Sequence, residues 1–301
     1  MLLVCLLAIS CRGDRNAEPA EETDTLSLPV EAADTIVADT VVATEPEDDY
    51  LPAVLDEVPA GIVSLMESSG HKAEYASGII PEIAKASPDY ARKLINSDYD
   101  KFIVVDKARM MVILYDHYGR QLEAYGMACA KNFGTKLAKA DSRTPEGFFS
   151  IQGIYDSTDW LFTDDNGVTS PKKGQFGPRF IKLRTPVSTQ IGIHGTCAPW
   201  SIGRRTSHGC IRLTNENILR LVELVEPGMP VIVTPGKKDR KVNREEGNEV
   251  VYFPTSAKYA ISEAERREIL GLAEIDSLAP DTTISLSADT LVADTIARDM
   301  E

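Results

Sequence analysis

A chain of 301 residues, 43% of them hydrophobic, is long enough to bury one sizeable core, and its composition along the chain argues against two. The net charge of −14 does not exclude an anionic ligand, because it sits at the ends: residues 12–60 carry 14 acids and 2 bases and residues 236–301 carry 14 and 9, whereas residues 61–235 carry 18 acids and 21 bases. No nucleic-acid partner is expected.

Residues 1–11 are an apolar run closing on Ser10-Cys11. A bilayer-spanning helix needs roughly 20 apolar residues, so the run reads as the apolar region of a secretion signal. Leu7-Ala8-Ile9-Ser10-Cys11 resembles the lipobox of bacterial lipoproteins, although Ala8 stands where Leu is commoner and no Lys or Arg precedes the run. That resemblance implies a lipid anchor on Cys11, attachment to a membrane and a periplasmic protein; a plain cleaved signal, giving a secreted protein, and an uncleaved anchor are the alternatives. Residues 12–49, rich in Glu, Asp, Thr, Ala and Pro, cannot bury enough apolar surface to offset their ordering entropy and are expected to be a disordered acidic tether. Residues 33–40 recur almost unchanged as 288–295, either as low-complexity tails or as two strands of one small hairpin.

Residues 50–98 read as a small helical segment, with Ser87-Pro88 as a helix start and Tyr90, Leu94 and Ile95 at helical spacing. From there the pattern turns to strands. Residues 102–105 and 110–115 form a hairpin about the polar turn 106–109, and further strands are expected near 121–129, 147–153, 178–184, 190–194 and 230–234. One helix interrupts them, capped by Thr214 or Asn215, burying Ile218, Leu219, Leu221, Val222 and Val225, and stopped by Pro227-Gly228. The expected architecture is a mainly β sandwich or barrel over 99–236 with one or two helices, preceded by the helical segment and flanked by disordered acidic tails, 237–301 being the C-terminal extension.

Two cysteines and two histidines fall within the 23 residues from Ile191 to Leu213. Acyl transfer by cysteine needs a thiol, a base for its proton, and backbone N–H groups aimed at the developing oxyanion. His194 ends an apolar strand, and Cys210 follows Ser207-His208-Gly209, where glycine lets the chain turn sharply. The amides of His208, Gly209 and Cys210 are the expected oxyanion donors. Arg212 and the pair Arg204-Arg205 add fixed positive charge suited to carboxylates.

These residues resemble the signature of the L,D-transpeptidase catalytic domain: His194-Gly195-Thr196, a loop, then Ser207-His208-Gly209-Cys210-Ile211-Arg212-Leu213, with Pro199-Trp200-Ser201-Ile202-Gly203-Arg204 fitting the loop and Thr144-Pro145-Glu146-Gly147 an upstream Thr-Pro-x-Gly. The resemblance covers about residues 100–235. It implies a cysteine acyltransferase acting on the stem peptides of peptidoglycan: Cys210 attacks the third residue of a tetrapeptide, D-alanine leaves, and an amine of a second stem resolves the thioester into a cross-link. His194 is then the base, oriented through the carbonyl of Gly195, and no cofactor is implied. Ser207, His208, Arg204, Arg205, Arg212 and Trp200 fall to the site, and Trp160 and Phe162, in the long segment 155–178, to a groove wall or lid.

Several readings stay open on the residues alone. Cys197, where the family often has Asn, simply fills the loop, pairs with Cys129, or bridges to Cys210. A zinc site from His194, Cys197, His208 and Cys210 is disfavoured by the cramped His-x-Cys spacing, so no metal is expected. His208 either packs beside the nucleophile or acts directly, and Arg212 either binds substrate or neutralises a core carboxylate. His71 and His117 read as surface residues and Tyr118 and Tyr125 as strand residues. An L,D-carboxypeptidase or endopeptidase shares the same acyl-enzyme, and a wall-binding protein without activity could keep the same fold.

Overall fold

The computed structural model describes residues 54–164, 167–188 and 190–272. The signal, the acidic tether and both copies of the repeat lie outside the described residues. Among those described, no helix is long and apolar enough to cross a membrane.

The runs at 102–105 and 111–115 become β1 (Lys101–Asp106) and β2 (Met111–Asp116), antiparallel, with Val104 opposite Ile113. The turn between them closes on Asp106, whose carboxylate accepts from the N–H groups of Ala108 and Arg109. With β3 (Gln121–Gly126), β5 (Gly147–Asp156), β6 (Arg179–Arg184), β7 (Gly192–His194), β9 (Ile211–Arg212) and β10 (Pro230–Thr234), they make an eight-stranded sheet in the order β3-β2-β1-β10-β5-β6-β7-β9. A small second sheet pairs β4 (Cys129–Ala130) with β8 (Arg205–Ser207). Period-2 alternation assigns the two faces. Ile103, Val105, Val112 and Leu114 enter one core with Ile181, Ile193, Ile211 and Leu221, while Phe102, Val104, Ile113 and Tyr115 enter the other.

That second core is closed by the helical segment, α1 (Ala60–Ser68), α2 (Lys72–Ser77), α3 (Ile80–Ala86) and α4 (Pro88–Ile95), through Ile62, Met66, Ile80, Ile83 and Leu94. Burial on both faces is why β1 is an unbroken apolar run instead of an alternating one. Ser87 caps α4 by accepting from the N–H of Tyr90.

Among the described residues of 99–236 there is one α-helix, α5 (Asn215–Val222), capped by Thr214. It buries Ile218 and Leu221 but leaves Leu219 44% exposed, a correction to the expected stripe. A residue next to a buried one points about 100° away around a helix. The disordered C-terminal tail is also corrected as far as residue 272. There α6 (Lys237–Glu245) and α7 (Glu263–Ile269) fold onto the sheet, held by polar contacts that a reading of apolar periodicity misses. Arg266 of α7 reaches Glu123 on β3 at 2.9 Å, and Arg120 reaches Glu265 at 2.6 Å. His117 is half-buried, with Nδ1 bonded to the carbonyl of Tyr99, and Tyr118 lies in a turn against the rings of His71, Tyr75 and His117. His71 is exposed but pairs with Glu74.

Candidate active site

Two short parallel strands at the sheet's edge assemble the site. Register pairs Ile193 with Ile211 and His194 with Arg212. Alternation turns the two isoleucines into the core and His194 and Arg212 to the opposite face. Cys210, one residue before β9, returns to that face, so imidazole and sulfur converge on one cavity of about 560 Å³.

His194 is buried and held on three sides. Its Nδ1 lies 2.5 Å from the carbonyl oxygen of Gly195. Phe180, its register partner on β6, stacks on the ring at 5.4 Å and 6°, and Phe176 meets it edge-on. Burial in this aromatic cage is the main force lowering the imidazole's pKa from 6.5 to about 4; the Gly195 carbonyl and the backbone of Phe176 oppose the fall and Arg212 adds to it. The ring is therefore neutral at pH 7, and with Nδ1–H donated to Gly195 its other nitrogen carries a lone pair. Gly195 itself admits no side chain, since a Cβ there would stand 2.4 Å from Oδ1 of Asn215. That same Oδ1 accepts from the N–H of Thr196 at 2.8 Å, so the first residue of α5 holds the loop after His194.

The turn before Cys210 is closed by its own residues. Ser207 Oγ donates to the carbonyl of Cys210 at 2.6 Å and accepts from the N–H of Gly209 at 3.2 Å. Gly209 has φ +151°, and a Cβ would meet Ile191 Cδ1 at 2.8 Å, so no other residue fits without strain. Its carbonyl accepts from Thr144 Oγ1 at 2.9 Å, and that hydroxyl accepts in turn from the N–H of Ala130 at 3.1 Å. Cys210 is half-buried, its thiol donating to the carbonyl of Gln190 at 3.3 Å. Burial raises the thiol above its ordinary 9.0, with the Gly192 backbone, Arg212 and Lys136 pulling the other way. Imidazole and thiol are thus both neutral at rest. Cys129, Cys197 and Cys210 are all free thiols, so neither bridge considered for Cys197 is present.

Comparison with known proteins fits this arrangement. Residues 100–233 match the YkuD family model, described as the L,D-transpeptidase catalytic domain. A Bacillus licheniformis protein named "Putative L,D-transpeptidase YkuD" is 33% identical over 118 residues, 39% of this chain and 61% of that one. "Putative L,D-transpeptidase YqjB" of Bacillus subtilis is 28% identical over 104 residues, 34% of this chain and 58% of that one. The chain therefore spans about six tenths of the length of these two relatives. The solved L,D-transpeptidase from Mycobacterium smegmatis aligns over 45% of this chain and 58% of its own, at 20% identity and TM-score 0.33.

Within the matched residues the cavity gathers His194, Ser207, His208, Gly209, Cys210 and Arg212 from those expected at the site. His208 stands at the wall, stacked on Phe162 at 5.4 Å and 3.4 Å from Nζ of Lys131. Among the described residues no carboxylate pairs with Arg212, and its Nε is buried without a partner, which disfavours the core-neutralising reading. Trp160 and Phe162 line the cavity as expected.

Three expected substrate contacts stand elsewhere. Trp200 is 67% exposed and Arg204 exposed, and neither lines the cavity. Arg205 turns the other way, pairing with Asp239 at 2.5 Å and lying over the ring of Phe133. A buried counter-charge outcompetes a solvated orientation toward the groove. The amide of Gly209, expected as an oxyanion donor, is already engaged by Ser207.

Sequence reasoning missed Lys136, Lys182, Phe176 and Phe180, all of which line the cavity. Alternation along β6 would have found Phe180 and Lys182. Lys136 sits in an aperiodic loop that carries no such signal.

Proposed function

We propose that the chain is a cell-wall L,D-transpeptidase working through a thioester on Cys210. The observation that carries this reading is the convergence of a neutral, rigidly held imidazole and a thiol on one cationic cavity. In the proposed first step Cys210 Sγ attacks the carbonyl of the third residue of a tetrapeptide stem while its proton passes to Nε2 of His194. The amide C–N bond then breaks, His194 returns the proton to the departing amine, and D-alanine leaves. In the second step an amine of another stem attacks the thioester, loses its proton to His194 and releases the thiol, completing a cross-link. With Gly209 N–H engaged, the amide of Cys210 is the backbone donor proposed for the oxyanion. His208 and Phe162 form the groove wall, and Arg212 and the cavity lysines attract the anionic stem. The anchor on Cys11 and a periplasmic, membrane-attached location belong to the same proposal.

The test incubates purified full-length protein with a disaccharide tetrapeptide, and separately with a carbapenem, and follows products and intact mass. Released D-alanine with dimeric stems is the expected result, together with a carbapenem adduct on Cys210 that Cys210→Ser abolishes. Released D-alanine without dimers would point to hydrolysis, the carboxypeptidase reading. A folded, reduced protein giving neither product nor adduct would leave only stem binding.

A further inference from the structure

The cavity is lined by Lys136, Lys139, Lys182 and Arg212, and by no Asp or Glu among its described residues. Lys136 differs from the other lysines in being fixed. Its side chain is only 1% exposed, although it lines the cavity. Nζ donates to Asp141 Oδ1 at 2.7 Å and to the carbonyl of Lys139 at 3.0 Å. Asp141 is in turn held by the N–H groups of Leu137, Ala138 and Arg143, so the loop is wound around this ion pair. Nζ lies 3.8 Å from the point where a Cβ on Gly209 would sit, beside the turn that presents the sulfur. An ammonium has three N–H donors, and two are accounted for among the described residues.

We propose that Lys136 is a specificity residue that takes the terminal carboxylate of the acyl donor, and so selects stems ending one residue beyond the attacked carbonyl. The inference rests on the transpeptidase reading. In a peptide the attacked carbonyl carbon and the carboxyl carbon of the next residue are separated only by N and Cα, roughly 3–4 Å from standard bond lengths. A terminal carboxylate therefore has to lie beside the turn carrying the nucleophile, where Lys136 stands. Because Asp141 and Lys139 already hold the ammonium, little rotamer entropy is lost on binding. Lys139 is exposed and Lys182 half-exposed, so neither is held in the same way.

The experiment compares kcat/KM for two donors, a tetrapeptide stem with a free terminal carboxylate and the same stem as its terminal amide, in wild type, Lys136→Gln, Lys136→Arg and Lys182→Gln. Wild type should prefer the acid by about 10–100-fold, the range expected of one charge-assisted hydrogen bond. Lys136→Gln should lose that preference by lowering turnover of the acid alone, and Lys136→Arg should restore part of it. Alkylation of Cys210 by neutral iodoacetamide should stay within about twofold of wild type. Equal loss on both donors, or a matching fall in alkylation, would make Lys136 a structural or thiol-activating residue and overturn the proposal. Loss of the preference in Lys182→Gln instead, or no preference in wild type, would also overturn it. Should Lys136→Gln not fold, the wild-type preference and Lys136→Arg decide. Absence of turnover of both donors by folded wild type with an alkylatable Cys210 would overturn the transpeptidase reading itself, and this inference with it.

Discussion

Thr144→Val isolates the hydroxyl that ties the turn before Cys210 to the body of the domain. Thr144 is fully buried, and its Oγ1 stands between the N–H of Ala130 and the carbonyl of Gly209, at 3.1 and 2.9 Å. Valine keeps the shape and removes both bonds. A buried polar group left without its partner costs about 1–3 kcal/mol. Counting the amide near the middle of that range and the carbonyl, with its second lone pair, near the bottom gives a loss of about 3 kcal/mol. That is a sizeable part of the roughly 5–15 kcal/mol that holds a domain folded, yet the variant should still fold. With an m-value of about 2 kcal/mol/M the urea midpoint should fall by about 1.5 M. Gly209 directly precedes Cys210, so kcat/KM should also fall, by about tenfold or more under conditions where both proteins are fully folded. Thr144→Ser, which keeps the hydroxyl, should recover most of both. A midpoint within 0.2 M (~0.4 kcal/mol) of wild type would refute the bridge. Loss of stability with full kcat/KM would refute its role in placing the sulfur.

The pH dependence follows from His194. Its folded pKa of about 4 lies below the ordinary 6.5, so the unfolded chain binds the proton first. Stability should be complete above pH 6.5 and decline by about 3 kcal/mol as pH falls to about 4, read from urea titrations of wild type against His194→Gln; an unchanged difference between the two proteins would count against the buried neutral ring. The acid limb of kcat/KM should likewise fall near pH 4 instead of 6.5, and its alkaline limb should lie above the ordinary thiol value. Gly209→Ala should cost at least about 2 kcal/mol and nearly all activity, since its Cβ would press on Ile191 at 2.8 Å and on the carbonyl of Arg143 at 3.1 Å; wild-type activity would show that the turn has another conformation. Trp200→Ala should leave KM for the stem unchanged, because the ring lies outside the cavity, and a raised KM would return Trp200 to the groove. Asp239→Ala should destabilise by about 3–5 kcal/mol in denaturant titrations, because it strips one carboxylate from a buried cluster in which Lys107 pairs with Asp239 at 2.9 Å and Glu146 at 2.5 Å; a loss under 1 kcal/mol would mean the cluster relaxes freely.

What could be read from the sequence was whatever follows a period or a compact motif. The β1–β2 hairpin, the cap of α5, and the placing of His194 and Cys210 on one cavity are all of that kind, whereas α5 ends at Val222, short of the expected stop at Pro227-Gly228. The parallel pairing of β7 with β9 delivers the last of these, and at Gly195 and Gly209 backbone or side chains approach too closely for a Cβ. The misses share a different cause: they are polar side chains whose partners lie far away in the chain. Arg205 meets Asp239, Thr144 meets Gly209, and Asn243 meets Glu146, across separations of 34, 65 and 97 residues. Composition made 237–272 look like tail because its anchoring groups are charged, yet Asp239 and Asn243 are buried. Leu219 failed for the opposite reason, an apolar residue one step around the helix from the buried stripe.

The resting charge state bears on how the proposed chemistry is driven. Some cysteine enzymes hold a ready thiolate beside an imidazolium, but the aromatic cage around His194 works against that pair. Phe176 and Phe180 exclude the water that would stabilise a charged ring, and the same burial raises the thiol. Protonating His194 at neutral pH would carry the penalty implied by a pKa of about 4. The proton should therefore leave sulfur only as the sulfur–carbon bond forms, when negative charge appears on the carbonyl oxygen beside Arg212. A cation that does little for the resting thiol then acts mainly on the transition state, which is where stabilisation accelerates a reaction. An immediate consequence is that Cys210 should be sluggish toward simple alkylating agents at pH 7, yet fast toward an acyl donor that fills the cavity. Rapid alkylation at neutral pH would reveal a preformed thiolate and require a different first step.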